Sequence, residues 1–153
     1  MKYWLMKSEE EEYSIYMLEK DKWSSWFGVR NYQARNFMRD EMKVGDKILF
    51  YHSNGNPSAV VGVARVASVP HADETAFDAK SKYYDPKSTR EKPTWQCVDV
   101  EFVSKFKTPL SLQEIKDDEI LSAMLVAQKG QRLSIQPVLK EHFDEILIKG
   151  KKK

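Results

Sequence analysis

A single cysteine in 153 residues, Cys97, excludes an intramolecular disulfide. The three histidines, His52, His71 and His142, are scattered, so with that cysteine they do not supply the paired ligand spacing of a structural zinc site. No metal and no cofactor are expected. Cys97 lies at the apolar end of an alternating segment with no histidine beside it to activate it, and it reads as packing rather than as a nucleophile. Long apolar runs are missing as well: nothing approaches the roughly 18 consecutive residues of a membrane span, and the opening MKYWLMKSEEEE puts charge where a signal peptide needs an apolar stretch. The expected location is cytoplasmic, or nuclear in a eukaryote. P-loop, GxGxxG and HExxH motifs are all absent, which leaves triphosphate, dinucleotide and zinc-protease chemistry without support. Charge of one sign is scarce: 25 Lys and Arg against 23 Asp and Glu give a net charge of +2, not that of a polycation.

What the chain does have is the makeup of one folded domain, 41% hydrophobic and 12% aromatic, with four Trp and seven Tyr as the unusual component. Tyr3 to Met6 reads as a first strand. Ser14 caps a short helix carrying Ile15, Met17 and Leu18. The segment from Trp23 to Gly28 has no period and reads as a loop holding two tryptophans. Asn31 to Met42 has helical spacing, with Ala34, Phe37, Met38 and Met42 on one face. A hairpin is expected from Lys47–Ser53 and Ala59–Val66, the second strand bending at Gly62. Pro70 to Pro93 is a long polar insertion, functional or mobile. A half-buried strand from Trp95 to Phe106 follows, then a helix opened by a Ser111–Glu114 capping box, a helical Ile120–Ala127, a strand over Arg132–Val138 and a final amphipathic helix over Val138–Ile148. Strands in the middle with helices interrupting them make an α+β fold, a small and partly open barrel.

Asn31, Arg35, Arg39 and Lys43 recur every four residues and would make one ridge without a carboxylate. That ridge is either a solvated face bridged to other elements or an anion-binding face; Trp26 and Tyr32 nearby favour the latter. Cations among aromatics suit unstacked nucleotides, the cations for phosphates and the ring faces for bases. Asn31, Ser8, His52, Ser53, Gln128 and Ser134 offer the mixed donors and acceptors of a base edge. Each has a plain alternative: Asn31 as a helix cap, Ser8 as a turn residue, His52 as a satisfied structural histidine. Trp4 and Trp95 read as core.

Taken together, Trp4-Leu5-Met6-Lys7-Ser8-Glu9, Trp26 with Gly28-Val29-Arg30-Asn31-Tyr32-Gln33-Ala34-Arg35-Asn36, Phe50-Tyr51-His52-Ser53, Tyr84-Asp85-Pro86-Lys87-Ser88, Gln128-Lys129-Gly130, Arg132-Leu133-Ser134 and Pro137-Val138 resemble the EVE domain family in order along nearly the whole chain. The chain departs from the family at Glu10 and Glu11, where Pro and Asp are usual. The resemblance implies one domain over residues 1–149 with a basic tail at 150–153, and a PUA-like mixed β pseudo-barrel of about five to six strands with flanking helices, akin to YTH domains. It further implies a non-catalytic reader of a modified base, chiefly a modified cytosine in DNA, flipped into a pocket, with modified RNA as an alternative partner and a monomer favoured. On that resemblance the pocket falls among Lys7, Ser8, Trp26, Val29, Asn31, Tyr32, Tyr51, His52, Ser53 and Ser134, with Arg30, Arg35, Lys129 and Arg132 nearer the phosphates. A competing expectation is a hydrolase of modified nucleosides, as in ASCH-type PUA-like domains, with Lys7, Tyr51 and Glu9 as an acid–base group. A third is an interaction module built on the Pro70–Pro93 loop.

Overall fold

Two short runs of alternating side chains decide the architecture. In β1 (Tyr3–Glu9) Trp4 and Met6 are buried on one side and Leu5 on the other; in β3 (Lys47–Ser53) Ile48 and Phe50 join the first group, Leu49 and Tyr51 the second. Strands covered on both faces belong in the middle of a sheet. In the computed structural model, which describes residues 1–152, β1 and β3 pair in parallel, with Trp4 opposite Ile48 and Ser8 opposite His52. β8 (Ile135–Val138) flanks β1; β4 (Ala59–Val66), β7 (Asp99–Ser111) and the three-residue β2 (Trp23–Ser25) continue the sheet beyond β3, giving the order β2-β7-β4-β3-β1-β8. The result is a mixed, curled PUA-like half-barrel.

Helices cover both faces. Ile15 and Leu18 of α1 (Ile15–Asp21) and Ala34 of α2 (Tyr32–Asn36) pack with Trp4, Met6 and Phe50, whereas Ile115 of α3 (Leu112–Asp117) and Phe143 and Ile146 of α4 (Lys140–Lys152) pack with Leu5, Leu49 and Val63. Each buried Leu, Ile, Met or Phe side chain among them contributes about 1.5–3 kcal/mol. Curling comes from β4 and β7, whose register shifts between Val60 and Gly62 and again between Val63 and Ala64. At Gly62 the strands approach so closely that a Cβ would sit 2.4 Å from the Ser104 carbonyl oxygen. The bend expected there is a close backbone approach.

Local expectations differ from the structure in several places. Trp23–Ser25 is strand rather than loop, held against Asp99–Glu101, because three residues are too few to show a period. The helix expected over Asn31–Met42 ends as α at Asn36 and continues as a π turn over Phe37–Glu41, the Met42 N–H reaching the Phe37 carbonyl. The wider turn breaks the four-residue ridge. Arg39 pairs with the adjacent Asp40 at 2.8 Å, so it is not the unpartnered cation that spacing suggested, and Lys43 lies beyond the helix. Ile120–Ala127 forms two 3-10 turns instead of one helix. The strand expected from Arg132 begins at Ile135, and the one expected over Trp95–Phe106 is divided between β6 (Gln96–Cys97), which pairs with β5 (His71–Ala72), and β7. The last helix runs on through Lys152, with Lys149 paired to Asp118 at 2.8 Å; of the basic tail, Lys153 lies outside the described residues. Trp4 and Trp95 are buried as expected, and Trp4 donates its indole N–H to the buried Asp46.

Candidate functional site

The parallel strands β1 and β3 end side by side, and beyond their carboxyl ends the sheet opens into a cleft of about 820 Å³. Lys7, Ser8 and Glu9 line it from β1, Ser53 and Asn54 from the end of β3, and Ser24 to Arg30 from the β2–α2 connection. Gln131, Arg132 and Ser134 close one side, and Lys82 and Tyr83 reach in from the long insertion. Such a volume is in the range of small-molecule and nucleotide pockets, about 300–1,000 Å³.

Trp26 is positioned by the fold. Its N–H donates to the Val98 carbonyl at 2.9 Å, and its ring meets Phe50 edge-on with centroids 5.5 Å apart, so the indole is buried on one side and presents the remainder to the cleft. Two residues on, Gly28 adopts φ +88°, and the Tyr83 ring rests so close that a Cβ on Gly28 would lie 2.6 Å from it. Only glycine meets both conditions without strain.

The insertion is tied down at this point. Asp73, 1% exposed, accepts on one carboxylate oxygen from the Gly28 N–H (2.8 Å) and Arg30 Nη1 (3.0 Å), and on the other from the Thr75 N–H and hydroxyl. Arg30 also donates Nε and Nη2 to the Tyr83 carbonyl, Nη1 to the Val29 carbonyl and Nη2 to Thr75 Oγ1. These bonds use all five guanidinium donors. Arg30 thus lines the cleft with every donor committed, and these bonds tie Tyr83 and Gly28 together through Asp73.

The uncommitted polar groups are elsewhere. The Ser53 and Ser134 hydroxyls and the Arg132 guanidinium line the cleft without a hydrogen-bond partner among the described residues. Lys7 has one long bond, to the Gln131 carbonyl at 3.4 Å, and half-burial lowers its pKa. Tyr13 donates its hydroxyl to Asp21 at 2.8 Å; burial first, and then that bond, push its pKa up to about 12. At the mouth Glu9 accepts from the Asn54 amide and Glu12 pairs with Lys82, which offsets one carboxylate of the acidic run.

Of the residues expected in the pocket, Lys7, Ser8, Trp26, Val29, Arg30, Ser53, Arg132 and Ser134 converge on the cleft; Asn31, Tyr32, Arg35, Tyr51, His52 and Lys129 do not line it. Asn31 is the α2 cap, its side chain accepting from the Ala34 N–H. Tyr32 stacks on Trp95 at 5.0 Å, and Arg35 lies over Tyr32 while bonding Asn36 and the Thr94 carbonyl. His52 is buried and accepts the Ile15 N–H on Nε2; burial holds its pKa below the ordinary value. Tyr51 belongs to the other core, with Lys7 over its ring at 5.9 Å, so the group of Lys7, Tyr51 and Glu9 is not assembled around one point in the cleft. Phe27, Lys82 and Tyr83 line the cleft without having been expected. The insertion's length was a signal that it carries function, but nothing local in the sequence says which of its tyrosines turns inward.

A PUA-like half-barrel whose parallel strand ends open on an aromatic and polar cleft defines the class of this domain. The chain belongs to the EVE domain family, whose model matches residues 2–148. It is 40% identical over 164 residues to thymocyte nuclear protein 1 of Gallus gallus, covering 95% of this chain and 67% of that protein. Among solved structures, a hypothetical protein from Leishmania major matches with a TM-score of 0.92 at 47% identity, covering 98% of this chain and 94% of the other. The human THYN1 protein in complex with 5-methylcytosine containing DNA matches with a TM-score of 0.89 at 36% identity, covering 100% of this chain and 99% of that one.

Proposed function

We propose that this protein binds DNA and recognises a modified cytosine, flipped out of the base stack into the cleft and released unchanged. The observation that carries the reading is the full-length likeness to the human THYN1 protein, which was solved in complex with 5-methylcytosine containing DNA. The cleft's chemistry supports it. Extruding a base costs a few kcal/mol; Trp26 and Tyr83 line the cleft, stacking on an aromatic ring returns about 1–3 kcal/mol, and the Ser53 and Ser134 hydroxyls, unpartnered among the described residues, can donate to or accept from a base edge. Lys7 and Arg132 supply the cations for flanking phosphates.

Burying one methyl group yields about 0.8 kcal/mol, roughly a fourfold preference. Greater selectivity needs a hydrogen bond that the wrong base loses. The test is fluorescence anisotropy with duplexes that differ only at one cytosine, unmodified or 5-methylated, over several salt concentrations. At least a fourfold preference is expected, abolished by Trp26→Ala, with a log–log salt slope of about −2 from two phosphate contacts. Equal affinity for both duplexes at every salt concentration would refute the reading.

A further inference from the structure

Phe27 stands apart from every other aromatic residue of the cleft. Among the described residues it belongs to neither hydrophobic core and has no ring partner, yet Trp26 beside it is 7% exposed and packed on Phe50. Large apolar side chains are exposed at several places on the surface, including Tyr16, Trp23, Tyr32 and Tyr84, and a lone exposed ring is unremarkable. Phe27, at 43%, is the one member of that group that also lines the cleft among the described residues.

Its backbone is held on both sides. The Trp26 N–H is bonded to Val98, and the Gly28 N–H to the buried Asp73, with Gly28 in a positive-φ conformation under the Tyr83 ring. The ring is thus carried on a backbone segment bonded on both sides, lining the cleft directly beside Trp26. A segment whose neighbours are so fixed has little conformational entropy left to lose on binding.

Flipping a base leaves a hole in the duplex, and its neighbours and its orphaned partner lose their stacking. Proteins that open a base step commonly fill it with an apolar side chain, since an apolar wedge restores part of the lost contact. We propose that Phe27 is this wedge: as the modified cytosine enters the cleft, Phe27 enters the gap it vacates. The proposal rests on the modified-base reading above and assigns the residue that stabilises the opened duplex.

The test separates the opening of DNA from recognition of the base. Phe27→Ala and Phe27→Leu are compared with wild type for a 5-methylcytosine duplex, and for the same modified strand alone, where there is no stack to open and no gap to fill. For Phe27→Ala the duplex affinity should fall about tenfold and the single-strand affinity by less than twofold, with Phe27→Leu recovering most of the duplex affinity. A 2-aminopurine beside the orphaned guanine, which brightens when unstacked, should brighten further on binding Phe27→Ala than on binding wild type. Equal losses on the duplex and the single strand, or no loss on the duplex, would overturn the wedge while leaving the reader intact. A wild-type protein that does not distinguish modified from unmodified duplex would overturn the functional reading itself, and the wedge with it.

Discussion

Replacing Asp73 by Ala should destabilise this protein far more than the loss of any surface ion pair. Asp73 is 1% exposed, and its two carboxylate oxygens accept four hydrogen bonds, from the Gly28 and Thr75 N–H groups, the Thr75 hydroxyl and Arg30. Removing one partner of a buried pair costs about 3–5 kcal/mol, since the other charge is left uncompensated. The Arg30 side chain is 23% exposed and keeps its bonds to the Val29 and Tyr83 carbonyls, so water and those acceptors compensate it in part. The expected loss is therefore about 3 kcal/mol, a large share of a typical 5–15 kcal/mol. Asp73→Asn is not a benign isostere: all four bonds are accepted, and an amide would turn an NH₂ group toward a donor, so a loss of about 2 kcal/mol is expected. The control is Arg65→Ala, which breaks the pair with Glu101, where both side chains are nearly half exposed, and should cost at most about 1 kcal/mol. Urea titration measures each as a midpoint shift at constant slope. Hydrogen exchange should show residues 70–93 opening first in Asp73→Ala, because Asp73 and Arg30 tie that insertion to the cleft. A midpoint for Asp73→Ala indistinguishable from that of Arg65→Ala would refute the account of the cleft wall.

Gly28→Ala combines a left-handed backbone with a Cβ 2.6 Å from the Tyr83 ring; since Tyr83 lies in an insertion that can shift, the expected cost is about 1–3 kcal/mol by thermal melting, with a drop in modified-base affinity because the ring leaves the cleft wall. His52 gives a pH dependence of known sign. Its pKa is lowered by burial in the folded state, where Nε2 accepts the Ile15 N–H, so below the unfolded value of about 6.5 the unfolded chain binds the extra proton and stability falls as pH falls through that value toward the folded one. His52→Gln should melt lower than wild type at pH 7.5 but lose less between pH 7.5 and 5.5, and an identical pH-dependent drop in both proteins would show that His52 contributes nothing to it.

Much of this domain was legible because the governing interactions are local or periodic. The short apolar runs Tyr3–Met6, Lys47–Ser53 and Ala59–Val66 mark strands, the Ser14 and Ser111 caps mark two helix starts, and the ordered EVE motifs mark the family. These signals need only residues a few positions apart. Short or irregular elements left none. Trp23–Ser25 is a strand because Asp99–Glu101 lies alongside it, and the π turn after Asn36 keeps the spacing that reads as one helix while Met38 and Met42 enter the core.

The candidate site divides along the same line. Residue type marked Ser8, Trp26, Ser53 and Ser134 as able to meet a base, the family resemblance added Lys7 and Arg132, and the fold brings all six to one cleft. Type alone could not separate them from Asn31, His52 and Arg35, which have the same chemistry but spend it on Ala34, Ile15 and Thr94. A donor's availability depends on what else lies within about 3 Å of it, and those neighbours are distant in sequence. Arg30 is the clearest case: its charge was visible from the start, but only the folded chain, by bringing Asp73, Thr75 and Tyr83 around it, made it a fastening of the cleft wall. Local spacing and capping thus determined the main strands and helix starts, and the ordered motifs the family, because these signals lie within a few residues of one another; tertiary contact decided which polar groups remain unspent and which side chains line the cleft.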